Sequence, residues 1–292
     1  MESTGVSDHG AKPHQDAWKQ ALDRLYEQFC DYGRKASHGF DSEDIHQARV
    51  NSRKLLTLLR ILDKHDHSGL YPLIKQAQKH LGQVRDADVL IESFQARRKR
   101  AKRSGRRKEA DLLKAVIQIQ RKQRRRSRAK LADKLSELIN PALDEKWEAF
   151  LKDLPELDSQ SADINVNQVM RELEVSYEQH KQAYRQLSRH NGAETKEAFD
   201  ALHDLRIAAK ELRYTASAAS FALDQKFHSH EQLYKDIQDQ LGQINDRRIW
   251  LETVQAIGQD KLDVSKKTWK AFKDSLMGEI RQALRANQLV GE

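Results

Sequence analysis

The sequence is short of the residues that staple or interrupt a chain. Its single cysteine, Cys30, excludes an internal disulfide and fits a reducing compartment. Four prolines and 12 glycines leave little punctuation, so the elements should be long and few. No run of alternating β-branched residues reads as a strand. No apolar stretch reaches the roughly 18 residues needed to cross a membrane, and the polar start, MESTGVSDHGAKPHQ, lacks the apolar centre of a signal peptide. A P-loop, a Gly-rich dinucleotide fingerprint and a nucleophile elbow are all missing. His65-Asp66-His67 and His228-Ser229-His230 lack the organised third and fourth ligands of a metal site. These absences lead us to expect an all-α, cytoplasmic chain with no metal, no cofactor and no membrane partner.

What is present is charge. Charged residues make up 33% of the chain and apolar ones 38%, a balance suited to long amphipathic helices with solvated outer faces. The net charge of +8 is unevenly placed. Residues 97–108 (RRKRAKRSGRRK) hold nine Lys/Arg and residues 121–130 (RKQRRRSRAK) hold seven, with no acid in either run. Without those sixteen, 36 basic residues face 44 acidic ones, a net of −8. Basicity this local points to a polyanionic partner. Each run alone also fits a solvated helix face, a nonspecific nucleic-acid binder or a localisation signal.

Apolar periodicity predicts a first helix over 13–35, with Trp18, Leu22, Leu25, Tyr26 and Phe29 on one face. A second, capped by Asp41 or Ser42, continues to Lys64 with its apolar stripe on Val50, Leu55, Leu58, Leu59 and Leu62. A third runs from Leu70 to Leu81 and is ended by Gly82; a fourth begins near Asp86. Pro13, Pro72 and Pro141 each precede a helical pattern. Ser104-Gly105 reads as a tight helix–helix turn, which in an antiparallel hairpin returns positions 121–130 to the level of 79–88, near Lys79 and Arg85. Residues 153–165 (DLPELDSQSADIN) are the best linker between a first half, 13–152, and a second half, 166–289, with a polar tail at 1–12. Helices in the second half are expected at 166–190, 194–222, 229–242, 246–258 and 264–287.

The halves repeat each other. His46-x-x-Arg49-x-x-x-Arg53 returns 157 residues later as His203-x-x-Arg206-x-x-x-Lys210. On a helix these spacings form one stripe, so each segment aligns a histidine with two cations. Stacked like charges weaken a bare helix, and a repeat of the arrangement suggests an anion opposite it. A second matched block follows at an offset of 160: Lys75/Lys235, Gln78/Gln238, Leu81-Gly82-Gln83/Leu241-Gly242-Gln243 and Asp86/Asp246. Two blocks in one order and nearly one spacing mark an internal duplication.

These residues resemble the CHAD family, named for conserved histidines in an all-helical domain. That family's halves read H-x-x-R-x-x-x-R-R-x-R and H-x-x-R-x-x-x-K-x-x-R-Y, each followed by a leucine-glycine segment and an R-D or N-D pair. The chain supplies His46, Arg49, Arg53 and Lys54, then His203, Arg206, Lys210, Arg213 and Tyr214, with Arg85-Asp86 and Asn245-Asp246 after them. Leu56 stands where the first half often carries an arginine; Arg60 lies on the same stripe. The resemblance runs from about residue 13 to 289 and implies two four-helix bundles related by a pseudo-twofold axis, with the motif helices meeting at one basic groove. It further implies noncatalytic binding of inorganic polyphosphate, as family members do, and targeting to polyphosphate granules. The triphosphatase tunnel domain joined to some members has no counterpart here, since Glu172-Leu173-Glu174 lies in a helical pattern.

The chemistry of the residues suits that reading. Arginine offers a planar fork for phosphate oxygens and lysine a mobile point charge. Arg49, Arg53, Arg60 and Lys75 on one side, with Arg206, Lys210, Arg213 and Lys235 on the other, would space cations along a phosphate chain. Lys54, Lys79 and Arg85 extend the track, and the hairpin brings Arg124 and Arg128 to it. His46 and His203 would be held protonated by an adjacent polyanion. Asp86 and Asp246 are expected as helix N-caps or orienters of neighbouring cations, and Tyr214 as either a donor to phosphate or a core residue. Two other functions stay open: nucleic-acid binding through 97–130, and an enzyme acting on phosphorylated substrates through His46 and His203.

Overall fold

The computed structural model describes residues 12–160 and 166–286. Among them are nine α-helices and no strand: α1 (Lys12–Gly39), α2 (Ser42–Leu62), α3 (Leu70–Arg103), α4 (Arg107–Leu138), α5 (Pro141–Gln160), α6 (Val166–Asn191), α7 (Lys196–Ala218), α8 (His230–Ile257) and α9 (Lys266–Ala286). One-turn segments at Ser220–Ala222, Gln225–Phe227 and Asp260–Leu262 fill the connections. No described helix is long and apolar enough to cross a membrane.

Local chemistry sets the helix ends. Asp41 caps α2, its Oδ1 accepting from the backbone N–H of Glu43 at 2.8 Å and of Asp44 at 3.3 Å. Asp63, 6% exposed, holds the turn into α3: its two oxygens accept from the N–H of His67 and Ser68 and from the Ser68 hydroxyl. Between α3 and α4, Gly105 adopts φ +70°. There the N–H of Arg106 bonds the Ala101 carbonyl and that of Gly105 bonds the Lys102 carbonyl, the 6→1 and 5→2 pair of a Schellman ending. Glycine takes that left-handed conformation without the clash a Cβ would bring.

Two helix ends expected from the sequence are absent. Gly82 and Gly242 do not stop a helix: α3 runs through the first and α8 through the second. A glycine inside a helix costs only about 1 kcal/mol. Here the flanking leucines, Leu81 and Leu241, are fully buried, and their packing outweighs it. For the same reason Asp86 and Asp246 lie in helix interiors and cap nothing. The stretch read as a linker is helical as far as Gln160, and residues 161–165 lie outside the described residues.

The chain folds into two compact units, and their boundaries fall inside α3, α4, α6 and α7 rather than between the sequence halves. The first unit comprises Met1–Leu81, Leu131–Met170 and Tyr214–His228. Its core is the expected face of α1 (Trp18, Leu22, Leu25, Tyr26 and Phe29) against Leu55, Leu58, Leu59 and Leu62 of α2 and Trp147 of α5. Tyr26 stacks on Trp147 with ring centroids 4.3 Å apart and donates to Asp144 at 2.6 Å. Cys30 sits in this core, and burial pushes its thiol up to about 11, so it stays protonated and inert at neutral pH. Leu56 is 5% exposed: the position where the family often has arginine faces the interior here.

The second unit comprises Gly82–Lys130, Arg171–Arg213 and Ser229–Glu292. In it the arms of the α3–α4 hairpin run antiparallel, as the Ser104-Gly105 turn requires: Arg97 meets Glu109, and Asp88 meets Arg124 and Arg128. The basic run at 97–108 is not uniformly solvated. Arg97 is 6% exposed, bonding Glu109 at 3.2 Å, Glu279 at 2.6 Å and Ser275 at 3.1 Å, with its guanidinium over the Phe272 ring. It ties both hairpin arms to α9, whereas Lys99, Arg100, Lys102 and Arg103 are exposed. We therefore expect Arg97→Met to destabilise the protein by about 3 kcal/mol in urea unfolding, because two partly buried carboxylates lose their cation. Arg100→Ala should change stability by less than about 0.5 kcal/mol.

Candidate anion-binding site

In the first unit, α2 presents His46, Arg49, Arg53 and Lys54 half-buried, with Arg60 exposed a turn further on. Helix α3 adds the exposed lysines Lys75 and Lys79. The stripe stays aligned because the opposite side of α2, from Ile45 to Leu62, is locked in the core. Asn51 and Ser52 are buried between the two sides and satisfied locally: Asn51 donates to the Gln47 carbonyl and Ser52 to that of Arg49. Arg60 donates to the Tyr71 hydroxyl at 3.0 Å and lies over its ring.

A residue of the second motif joins this cluster. Arg53 Nη1 donates to the Tyr214 hydroxyl at 2.9 Å, and its guanidinium carbon lies 5.4 Å from the ring centroid. Tyr214 thus orients an arginine of the first motif across 161 positions of sequence. Tyr214 is half-buried.

In the second unit, α7 carries His203, Arg206, Lys210 and Arg213, and α8 carries Lys235 and Asp246. Arg213 donates to the Gln238 side chain at 3.1 Å, which aims it along α8. The His203 ring keeps an exposed edge. Its pKa is nonetheless held below the ordinary value, first by partial burial, then by Arg248, Arg206 and Lys210, against a smaller opposing pull from Asp204. Asp246 is shifted the other way: burial raises its carboxyl, Arg206, Arg247 and Lys210 lower it, and Asp86 raises it again. The aspartates of the two repeats are therefore close enough to feel each other's charge, and Asp246 sits among cations as an orienter would.

Arg124 and Arg128 reach the level of Asp88, as the hairpin register predicts, but as ion-pair partners. Asp88, 3% exposed, takes Arg124 at 2.7 Å and Arg128 at 3.4 Å. Arg85 is half-buried on the same stretch of α3, about one turn before Asp88. Sequence reading passed over Arg248, a half-buried residue of α8 that depresses His203 and lies 3.9 Å from Asp200 and 3.6 Å from Glu252. The signal was in the repeat: at the offset of the matched block, Arg248 corresponds to Asp88. Of the histidine pairs considered for metal, His230 pairs with Glu174 at 2.7 Å and His228 bonds the Leu223 carbonyl.

An all-helical chain with a repeated His/Arg/Lys stripe on helices whose opposite faces are buried is the class the fold defines. The CHAD domain profile matches residues 20–255, most of the chain, and the protein belongs to the CHAD domain family. Two solved structures share its fold. The CHAD domain from the plant Ricinus communis has a TM-score of 0.65 at 20% identity, covering 94% of this chain and 88% of that one. PptA from Streptomyces chartreusis has a TM-score of 0.64 at 15% identity, covering 94% of this chain and 98% of that one. Among curated proteins none matches. We expect Tyr214→Phe to cost about 1 kcal/mol in thermal unfolding, since the hydrogen bond to Arg53 is lost while the ring contact stays. Loss indistinguishable from zero would mean the pair does not order Arg53.

Proposed function

We propose that this protein binds inorganic polyphosphate without turning it over, through the cations of both repeats. The observation that carries the reading is that a residue of the second motif orients a cation of the first: Arg53 donates to the Tyr214 hydroxyl. Membership of a family associated with polyphosphate supports it. A phosphate chain has no base edges to read, so recognition reduces to cations at suitable spacing, supplied by Arg49, Arg53, Arg206, Lys210 and Arg213. In a cell, such binding would bring the protein to polyphosphate granules. Exposed cations on the hairpin, among them Arg100, Arg103 and Arg107, favour a second reading in which that arm binds nucleic acid.

Replacing Arg49, Arg53, Arg206 and Lys210 together by glutamine should weaken long-chain polyphosphate binding by at least about 100-fold, each lost charged contact being worth about tenfold or more. Wild-type affinity in a correctly folded variant would overturn the reading, whereas loss only on neutralising the exposed Arg100, Arg103 and Arg107 would favour the second. Binding should also weaken steeply with added salt, because the polymer's condensed counterions are released on binding.

Binding should take up a proton. The free protein holds the His203 pKa below its ordinary 6.5, and a bound polyanion raises it. Affinity should therefore increase as pH falls from above the bound-state value to below the free-state value. Titration calorimetry in buffers of different ionisation enthalpy should detect the uptake, and His203→Gln should reduce it. An unchanged uptake in that variant would remove His203 from the site.

A further inference from the structure

The second unit contains a cleft of about 700 Å³ bounded by α3, α4, α8 and the one-turn segment after α8. Its cations are Arg126 and Lys130 of α4 and Lys261 of that segment, none of them in the repeated stripe. All three are exposed, and the only carboxylate in the lining is that of Asp86. One wall is apolar, built from Leu90, Ile119, Ile249 and Ile257. Ile249 remains 40% exposed, so this wall has surface left to cover. Between wall and cations stand the side-chain amides of Gln83, Gln120 and Gln123 and the hydroxyls of Ser127 and Thr253.

We propose that this cleft binds a nucleoside phosphate. Each part of the lining matches a different part of such a ligand. A flat base would cover the Leu90–Ile257 wall, removing apolar surface from water on both partners. An amide offers a donor and an acceptor side by side, the pair a base edge presents in complement. The phosphates would meet Arg126, Lys130 and Lys261, where three cations outnumber one carboxylate. The volume lies within the range of small-molecule sites and exceeds what a single phosphate needs. Inorganic polyphosphate has no surface to place on the apolar wall, and an acyl chain would leave the glutamine amides without partners. The cleft shares Asp86 with the surroundings of the proposed polyphosphate track but none of that track's cations.

Titration calorimetry of the full chain with ATP, adenosine, inorganic tripolyphosphate and dodecyl phosphate tests this. In the Arg49→Gln/Arg206→Gln variant, which weakens the polyphosphate track, ATP should bind once per chain, with adenosine and tripolyphosphate each at least about tenfold weaker. The double variant Arg126→Gln/Lys130→Gln should weaken ATP by about tenfold or more, as should Ile249→Glu, which sets a carboxylate on the apolar wall. These positions are exposed, so their melting curves should match the parent's. Arg49→Gln/Arg206→Gln should leave ATP affinity unchanged, which separates this site from the polyphosphate track. The proposal is overturned if ATP does not bind, if tripolyphosphate binds as tightly as ATP to the Arg49→Gln/Arg206→Gln variant, if dodecyl phosphate binds better than ATP, or if the cleft variants bind ATP as the parent does.

Discussion

Repulsion between like charges constrains this molecule more than any other interaction. A chain with 52 basic residues has to fold its helices without letting their cations drive them apart. It meets the constraint in two ways. Some cations are neutralised and become structural: Arg97 between Glu109 and Glu279, and Arg124 and Arg128 on Asp88. Others donate hydrogen bonds to uncharged groups. Arg53 and Arg60 are held by tyrosine hydroxyls and rings, and Arg213 by a glutamine amide. A hydroxyl or an amide fixes the direction of a guanidinium without cancelling its field, so such a cation can still attract an anion. Arg53, Arg60 and Arg213 lie on the motif helices, whereas Arg97, Arg124 and Arg128 lie on the hairpin.

This division changes the meaning of the two basic runs. By composition they are the most cationic part of the chain, and they draw attention first. In the fold their buried members serve packing. Arg97 lies over Phe272 and joins α9 to both hairpin arms, a contact that uses its apolar face as well as its charge. Their exposed members form a solvated fringe, with Arg126 and Lys130 turned toward a cleft of their own. A run of like charge in a sequence is thus three populations in space, separated by helical periodicity.

Much of the fold was legible because apolar periodicity determined it. The face of α1 from Trp18 to Phe29, the Asp41 cap and the Ser104-Gly105 turn are all local signals with local physical causes. The errors came where tertiary packing overrode a local signal. Gly82 and Gly242 read as helix ends because glycine is a poor helix former, yet buried Leu81 and Leu241 carry α3 and α8 past them. Arg97 could not be distinguished from its neighbours, since its carboxylate Glu279 is 182 residues away. Tyr214 was legible as a motif residue, but its partner Arg53 was not, for the same reason of distance in sequence. The compact units also had no signature in the sequence, because their boundaries cut through continuous helices.

The repeat shows how duplicated segments diverge under the same constraint. Position 88 in the first copy corresponds to 248 in the second, and the charge is reversed: Asp88 against Arg248. In the first copy the aspartate gathers two arginines of α4 and becomes nearly fully buried, so its surroundings are locally compensated. In the second copy the arginine faces the more exposed Asp200 and Glu252 at longer range and adds its field to that of Arg206 and Lys210 on His203. Exposed, long ion pairs such as those of Arg248 hold little free energy. The two copies are therefore electrostatically unequal although their motif cations match. The second copy carries His203, whose protonation its own surroundings oppose, and for which an incoming polyanion would relieve that repulsion.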